Sequence, residues 1–272
     1  MDLQLSAEQD LIVGMVRRFV REEILPLELG LGPDADRLDP ENYARLVELT
    51  RGMGLYNLGV PPEYGGPEVD LVTHVLLAIE MSQHRAGLYA PSYGVFGGMG
   101  LAQLFEATED QKERYLYPVL RGEKRGFFGL TEASGGSDPA RAIRTRAVRD
   151  GDDWIINGTK MFISGAHEAE FGLVFARTDP DKGRNGITCF LVDTDLPGFH
   201  VRRVVPTLRS AHPATELQLE DVRVPHRNVL GEVNRGFAIA NDRLTRQRLP
   251  YAAGCIGVAL KAQEMALEDV PQ

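Results

Sequence analysis

Two short polar segments combine the residue types that bind a flat ring with a polar edge. Residues 130–138 read LTEASGGSD and residues 157–164 read NGTKMFIS, and each stands at the end of a β-type run. Thr131 and Ser164 offer hydroxyl groups, and the paired glycines of the first segment let backbone approach a ligand closely. A flavin needs such donors along its pyrimidine edge, because reduction places negative charge there. The two segments together predict a flavin site.

Each of these residues also has an ordinary interpretation when it is taken alone. Thr131 and Ser164 fit plain strand or turn positions, and Gly135 with Gly136 fits a tight loop with no ligand. The occurrence of both segments, close together in one chain, favours the functional interpretation.

The composition excludes several classes of protein. The chain has 272 residues, of which 43% are hydrophobic and 25% charged, as is typical of one or two globular domains. A formal net charge of -9 argues against nucleic-acid binding, because phosphates need a basic surface. Two cysteines and six histidines without ligand spacing predict no disulfide framework and no metal site. No targeting peptide and no apolar run of about eighteen residues stands out, so a cytoplasmic protein without a membrane span is expected.

Helical periodicity covers residues 1–122. Cap signals mark three helix starts, at Ser6 with Gln9, at Asp39 with Pro40, and at Thr108 with Gln111. Residues 71–81 form a further helix that is apolar on nearly all sides and is expected inside a helical bundle. Glu80 on that helix fits either a substrate pocket or an ion pair.

Short β-type runs follow in residues 123–232. They are residues 127–130, 143–148, 154–157, 161–164, 171–176, 187–192 and 217–224. Asn157-Gly158 stands between two of these runs and predicts a hairpin turn. The spacing predicts a small antiparallel barrel or sandwich. Residues 233–272 are helical again, and the apolar side chains of residues 244–267 predict an exposed apolar patch, covered by oligomerisation or left disordered.

Five blocks of the chain, in order, resemble the acyl-CoA dehydrogenase family. They are VPPEYGG at 60–66, GLTE with GSD at 129–138, WIINGTK with FIS at 154–164, VRVP at 222–225 and GF at 236–237. The resemblance runs over the whole chain. It implies an α+β multidomain fold with a helical domain at 1–122, a central antiparallel β-barrel or sandwich at 123–232, and the start of a C-terminal helical domain at 233–272.

The resemblance also implies site residues. The flavin contacts of FAD would be Phe128, Leu130, Thr131, Gly136, Ser137, Phe162, Ile163 and Ser164. The CoA portion of an acyl-CoA substrate would be held by Ser137, Thr245 and Arg248. The Arg141, Arg144 and Arg146 set fits either a CoA phosphate or a solvated face.

Two departures from the family pattern concern chemistry. Thr245 stands where the family has Asp. The CoA contact near Arg248 therefore departs from the family pattern at this position. Gln247 stands where one subgroup has its catalytic Glu, and an amide does not accept the proton in that step. The more usual catalytic Glu belongs to bundle helices outside these 272 residues. No catalytic residue is therefore assigned.

The resemblance implies α,β-dehydrogenation of an acyl-CoA thioester, transfer of electrons from the flavin to an electron-transfer flavoprotein, and a homo-oligomer. Without a base, these residues alone are expected to turn over poorly or not at all. A fragment of an ordinary dehydrogenase and a shortened relative that binds flavin or acyl-CoA without turnover both fit. A flavin-dependent oxidase or monooxygenase on the same fold is a further alternative.

Overall fold

The computed structural model describes residues 4–85, 90–97, 101–207 and 213–269. The chain forms two compact units. The first comprises Met1–Met99, Arg209–Ala211 and Arg246–Gln272, and the second comprises Gly100–Leu208 and His212–Thr245. The division into three domains at residues 122 and 232 stays a prediction.

Helices and strands follow one another in the order α, then mainly β, then α. The α-helices are α1 (Ala7–Phe19), α2 (Leu25–Leu29), α3 (Pro40–Gly52), α4 (Leu71–Met81), α5 (Glu109–Gln111), α6 (Tyr117–Leu120), α7 (Pro139–Ala142), α8 (Gly236–Arg246) and α9 (Arg248–Asp269). The strands are β1 (Gly126–Gly129), β2 (Arg146–Asp150), β3 (Asp153–Ser164), β4 (Phe171–Arg177), β5 (Ile187–Asp193), β6 (Phe199–Val205), β7 (Ala214–Pro225) and β8 (Val229–Leu230).

The cap signals hold in the structure. The Ser6 hydroxyl accepts a hydrogen bond from the Gln9 N–H at 3.1 Å, and the Gln9 side chain accepts one from the Ser6 N–H at 3.0 Å. Asp39 caps α3 by accepting from the Asn42 N–H at 2.9 Å, and Thr108 forms a second capping box. The three predicted helix starts and the helix at residues 71–81 are confirmed.

Proline interrupts the helices at three places. Pro26 follows a π-helical turn at Val20–Ile24, and Pro118 follows another at Lys112–Leu116. Pro250 is the third residue of α9, directly after the turn that separates α8 from α9. The cause is shared, because the proline ring removes an N–H and collides with the carbonyl four residues earlier.

The core of the first unit lies between α1 and α4. Val16 of α1 and Leu77 of α4 are fully buried within it. Glu80 of α4 is also buried, and it accepts hydrogen bonds from Arg17 Nη2 at 2.7 Å and Nε at 3.1 Å. The ion-pair interpretation of Glu80 is therefore confirmed. Leu71, at the start of α4, is exposed, so α4 is less enclosed than its composition predicts.

Helix α9 crosses α4 closely within the same unit. A Cβ at Gly257 would stand 2.2 Å from the carbonyl oxygen of Ile79, so only glycine permits this approach. Elsewhere α9 exposes large apolar side chains, namely Leu249, Tyr251, Ile256, Val258, Leu260, Met265 and Leu267. The predicted apolar exposure is confirmed for the described residues of this helix.

The second unit contains one sheet with strand order β6-β7-β3-β2-β4-β5-β8, and β1 pairs with β4 beside this path. Most pairings are antiparallel, as the sequence predicts. However, β1 and β4 pair in parallel, and so do β2 and β4 at one position, which makes the sheet mixed. The fold class is confirmed with this addition.

Two details of the strand prediction are wrong. Asn157 and Gly158 do not form a turn, because β3 runs straight through them from Asp153 to Ser164. Gly158 instead marks an irregularity in the pairing with β7, and a Cβ there would stand 2.5 Å from the Thr145 hydroxyl. Strands β6 and β8 were also not predicted, because the residues of β6 are mostly exposed and show no alternation, and β8 has only two residues.

Helix α8 packs closely on the sheet of the second unit. A Cβ at Gly236 would stand 2.4 Å from the backbone nitrogen of Cys189, so glycine sets the approach of the helix start to β5. Ala240, one turn further on, is fully buried. The inward face of α8 therefore continues toward Arg243, three residues after Ala240.

The described ranges contain neither a membrane-spanning helix nor a cluster of metal-ligating side chains. None of the helices placed there combines the length and the apolar character that crossing a bilayer requires. In the same ranges, no group of three or more His, Cys, Asp or Glu side chains is arranged to hold a metal ion.

Candidate cofactor-binding site

A buried ion pair joins the two segments that the sequence singles out. Lys160 of β3 donates from Nζ to Glu132 Oε1 at 2.8 Å. The same ammonium donates to the carbonyl oxygens of Phe175 at 2.6 Å and Leu130 at 3.3 Å. Its side chain is completely buried, and that of Glu132 is 4% exposed. The pair thus fixes the end of β1 and the loop after it against β3 and β4.

The Glu132 carboxylate has further donors that complete its surroundings. Thr145 donates to it from Oγ1 at 2.6 Å and from N–H at 3.0 Å, and the Arg144 N–H donates at 2.6 Å. Burial works against the charged carboxylate, but Lys160 and these hydrogen bonds outweigh it and hold the pKa of Glu132 below its usual range. For Lys160, burial lowers the pKa of the ammonium, and Glu132 acts in the opposite direction.

A backbone hydrogen bond brings the two segments into direct contact. The Met161 N–H donates to the Thr131 carbonyl at 2.9 Å. A Cβ built on Gly136 would lie 3.7 Å from Thr131 Cγ2 and near no other atom, so the loop returns beside Thr131 and leaves space there. Thr131 is half-buried, and Gly136 is exposed. The described fold leaves open space at this position, and the flavin contact of Gly136 stays a prediction.

Phe162 has the least ordinary backbone of the site. Its φ is 57°, in the left-handed region that a bulky residue rarely adopts. The register of β3 against β7 shifts at this point, between Lys160 and Ile163. Phe162 as a residue is 58% exposed. A strained backbone that holds an aromatic ring out of the sheet is a feature of ligand sites.

Ser164 and Ile163 differ in what they present. Ser164 is exposed at the end of β3, whereas Ile163 is 2% exposed and belongs to the core of the second unit. The Ile163 carbonyl accepts a hydrogen bond from Thr215 Oγ1 at 2.8 Å. Leu130 is also buried, at 4% exposure. The side chains of Leu130 and Ile163 are therefore both buried, and the flavin contacts of these two residues stay predictions.

Phe128 lies between an aromatic ring and a cation. Its ring centroid is 4.9 Å from that of Phe175. The guanidinium carbon of Arg243, on α8, lies 4.5 Å from the Phe128 centroid. Phe128 thus stands at the end of β1 in a fixed position, two residues before Leu130.

The remaining predicted site residues lie on exposed turns and helices. Ser137 is exposed in the loop before α7, where the neighbouring Asp138 accepts from the Arg141 N–H at 3.3 Å. Thr245 is exposed near the end of α8, in the second unit. Arg248 is exposed as the first residue of α9, in the first unit. Their roles stay predictions.

Sequence reasoning missed two parts of this arrangement. Glu132 and Lys160 lie within the two polar segments, and the sequence does not predict their pairing, although a lysine at an inward position of a strand is a signal for a buried partner. Arg243 was not singled out. Its signal is a charged residue three positions after the apolar Ala240, on the inward face of α8.

Comparisons with known proteins identify the family of this chain. The acyl-CoA dehydrogenase N-terminal domain matches residues 6–123, and the acyl-CoA dehydrogenase middle domain matches residues 127–222. The short-chain specific acyl-CoA dehydrogenase of Clostridium acetobutylicum is 35% identical over 264 residues, which is 95% of this chain and 67% of that protein.

Solved structures give the same result. Butyryl-CoA dehydrogenase from Megasphaera elsdenii superimposes with a TM-score of 0.80 at 30% identity, over 100% of this chain and 72% of that one. A chain in the structure of the electron transferring flavoprotein of Acidaminococcus fermentans also gives 0.80, at 32% identity, over 100% and 71%. The fold is that of a class of flavoprotein oxidoreductases. The chain belongs to the acyl-CoA dehydrogenase family.

FAD is the cofactor of this family, and the described residues fit it. An exposed Phe162 ring, the exposed Ser164 hydroxyl and the space beside Thr131 and Gly136 occur together in the second unit. The Met161 and Thr131 hydrogen bond joins these parts. Together they offer an apolar face and polar groups for a planar ring, which is the chemistry that an isoalloxazine requires.

Proposed function

We propose that this chain binds FAD at the end of β1 and β3 and acts on an acyl-CoA thioester by α,β-dehydrogenation. The observation that supports this most is the junction of residues 130–132 with residues 160–164 by the buried Lys160 and Glu132 pair. That junction preorganises the hydroxyl and backbone groups that a flavin edge needs.

The proposed flavin contacts divide by what each residue presents. The hydroxyls of Thr131 and Ser164 would hydrogen-bond the polar edge of the ring, and Phe162 would cover an apolar face. The backbone of Leu130, Gly136 and Ile163 would approach the ring, and Phe128 would border it. Bound FAD supplies the acceptor for the hydride that leaves the β-carbon of the acyl group.

For the substrate, we propose that Ser137, Thr245 and Arg248 contact the CoA portion. Arg248 would provide a permanent positive charge for a phosphate, and Ser137 and Thr245 would provide hydroxyl donors. All three side chains belong to exposed residues, so a ligand can reach them without rearrangement of a core.

We propose that removal of the α-proton limits turnover by these residues. The α-proton of the thioester has to pass to a base, and a positioned base typically contributes about 10² to 10⁴-fold. Gln247 presents a neutral amide in the turn before α9. We therefore propose that the 272 residues bind both ligands and, on their own, turn over slowly or not at all.

An electron-transfer flavoprotein is the proposed electron acceptor. The similarity to a chain in the A. fermentans structure supports this choice. We also propose a homo-oligomer, in which a second copy covers the exposed apolar residues of α9. At about 25 cal/mol per Å², a few hundred Å² of newly covered surface would contribute several kcal/mol. Light scattering across a dilution series measures this association.

The test of the proposed function is flavin retention followed by substrate addition. The purified full chain is incubated with FAD, desalted, and examined near 450 nm before and after anaerobic addition of acyl-CoAs of different chain lengths. Retained flavin that bleaches with one acyl-CoA would support the dehydrogenase. The variant Ser164→Ala tests the proposed site, because it should retain less flavin than wild type while its fold is unchanged.

Other outcomes separate the alternatives. Retained flavin with slow or no bleaching is what the neutral amide of Gln247 predicts, and it also fits a relative that binds its ligands without turnover; rapid bleaching would show that these residues contain a base. Oxygen consumption by the reduced protein indicates an oxidase or monooxygenase. No flavin retention by the wild-type chain contradicts the proposal.

A further inference from the structure

We propose that Arg243 is an electrostatic and positioning residue for the flavin, and this inference rests on the proposed function. The guanidinium of Arg243 would hold the Phe128 ring in place and favour the reduced over the oxidised state of the bound flavin. Arg243 stacks on Phe128, with 4.5 Å between the guanidinium carbon and the ring centroid, and this contact supports the inference most.

Arg243 lies on the inward face of its helix. It follows the fully buried Ala240 by three residues, and the start of the same helix is held against β5 by Gly236. Its Nη1 atom is out of contact with solvent. Part of the guanidinium charge of Arg243 is therefore removed from water, and a charge in such surroundings acts over a longer range than at the surface.

The position of Phe128 restricts the position of the loop that follows it. The ring is held from one direction by Phe175, with centroids 4.9 Å apart, and by Arg243 from another. Leu130 and Thr131 follow within three residues, at the junction with β3. A cation over an aromatic ring contributes about 0.5–2 kcal/mol, more when the pair is desolvated. Arg243 therefore restricts the residue that borders the proposed flavin contacts.

The charge of Arg243 has a second consequence. Reduction adds negative charge to the flavin, and a positive group in a partly desolvated site acts over a longer range than one in water. A guanidinium keeps its charge at all accessible pH values. The bound flavin should therefore be reduced more readily than it would be with a neutral residue at position 243.

The experiment measures FAD affinity and the midpoint potential in the full chain. Arg243→Met removes the charge and keeps an apolar stem, and Arg243→Lys keeps the charge without the planar stack. Arg235→Met is the matched control, because Arg235 is exposed just before the same helix. We expect the Met variant at position 243 to bind reduced flavin about tenfold less tightly relative to oxidised flavin. For a two-electron couple, this lowers the midpoint potential of the bound flavin by about 30 mV. The Lys variant should recover part of this shift, and the control should show none.

The outcomes separate the inference from the proposed function. If wild-type chain retains FAD and the potential is the same in the Arg243→Met variant, the inference is wrong and the proposed function stands. If the Met variant does not fold, an unchanged potential in Arg243→Asn or Arg243→Gln overturns the inference. If wild-type chain retains no FAD, both the function and the inference are contradicted.

Discussion

The Lys160 ammonium and the Glu132 carboxylate meet at 2.8 Å inside the second unit, with neither group reaching solvent to any useful extent. Lys160 belongs to one predicted flavin segment and Glu132 to the other. The contact therefore holds together two parts of the candidate site that are separated in sequence by almost thirty residues. Buried charges of this kind are tolerated only when they are paired and hydrogen-bonded.

Replacement of Lys160 by Met should destabilise the chain by about 3–5 kcal/mol, because the Glu132 charge would remain buried without its partner. Urea unfolding of wild type and variant measures the difference. The double variant Lys160→Met with Glu132→Gln should recover much of the loss. A double variant no more stable than Lys160→Met alone would contradict the assignment of the loss to an unpaired charge.

The left-handed backbone at Phe162 predicts that a glycine variant is more stable than an alanine variant, which is the opposite of the order at an ordinary strand position. At φ 57° an L-residue costs about 1–2 kcal/mol, so Phe162→Gly should be more stable than Phe162→Ala by about 1 kcal/mol. Both variants should retain less FAD. At Val148, an exposed strand residue with no such backbone, glycine should be the less stable of the two. Thermal unfolding of the four variants measures these differences in stability. If the same residue type gave the more stable variant at both positions, the backbone of Phe162 would not be strained.

Gln247→Glu should add the carboxylate that proton removal needs. We expect anaerobic bleaching of bound FAD by an acyl-CoA to become at least about 10²-fold faster than in wild type. Gln247→Met is the control, with the same FAD retention and no gain in rate. Equal rates for the Glu and Met variants would show that position 247 does not reach the α-proton.

The buried Glu28 in the first unit predicts a loss of stability in acid. It accepts hydrogen bonds from Ser92 Oγ at 2.6 Å and from the Arg85 N–H at 2.8 Å, and it contacts His84 Nδ1 at 3.3 Å. Burial raises its pKa, but His84 and Ser92 outweigh that effect and hold the pKa below its ordinary value of 4.5. The stabilisation is therefore present above about pH 4.5 and is lost as the pH falls through the lower folded value.

The pH dependence of Glu28 can be isolated with Glu28→Gln. The variant should be less stable than wild type at pH 7, and its unfolding free energy should fall less steeply between about pH 5 and pH 3. Denaturant unfolding at each pH measures both slopes. Parallel curves would mean that Glu28 binds protons equally in the folded and unfolded states.

The sequence by itself determined the features that depend on neighbouring residues. Ser6 with Gln9 and Asp39 with Pro40 fix helix starts through bonds that span three or four residues, and these positions are confirmed. The family blocks likewise identified the fold class. The cap signals are readable because all their interacting atoms lie within one turn of chain.

Tertiary structure decided the features that depend on distant partners. Asn157-Gly158 carries a turn signal, but Thr145 lies against Gly158 and β7 pairs on both sides of it, so the strand continues. Lys160 contacts Glu132 and Arg243 contacts Phe128, and in both pairs the partner lies far away in sequence. Pairing and packing across such distances depend on the whole fold, because local preference is weaker than burial in a completed sheet.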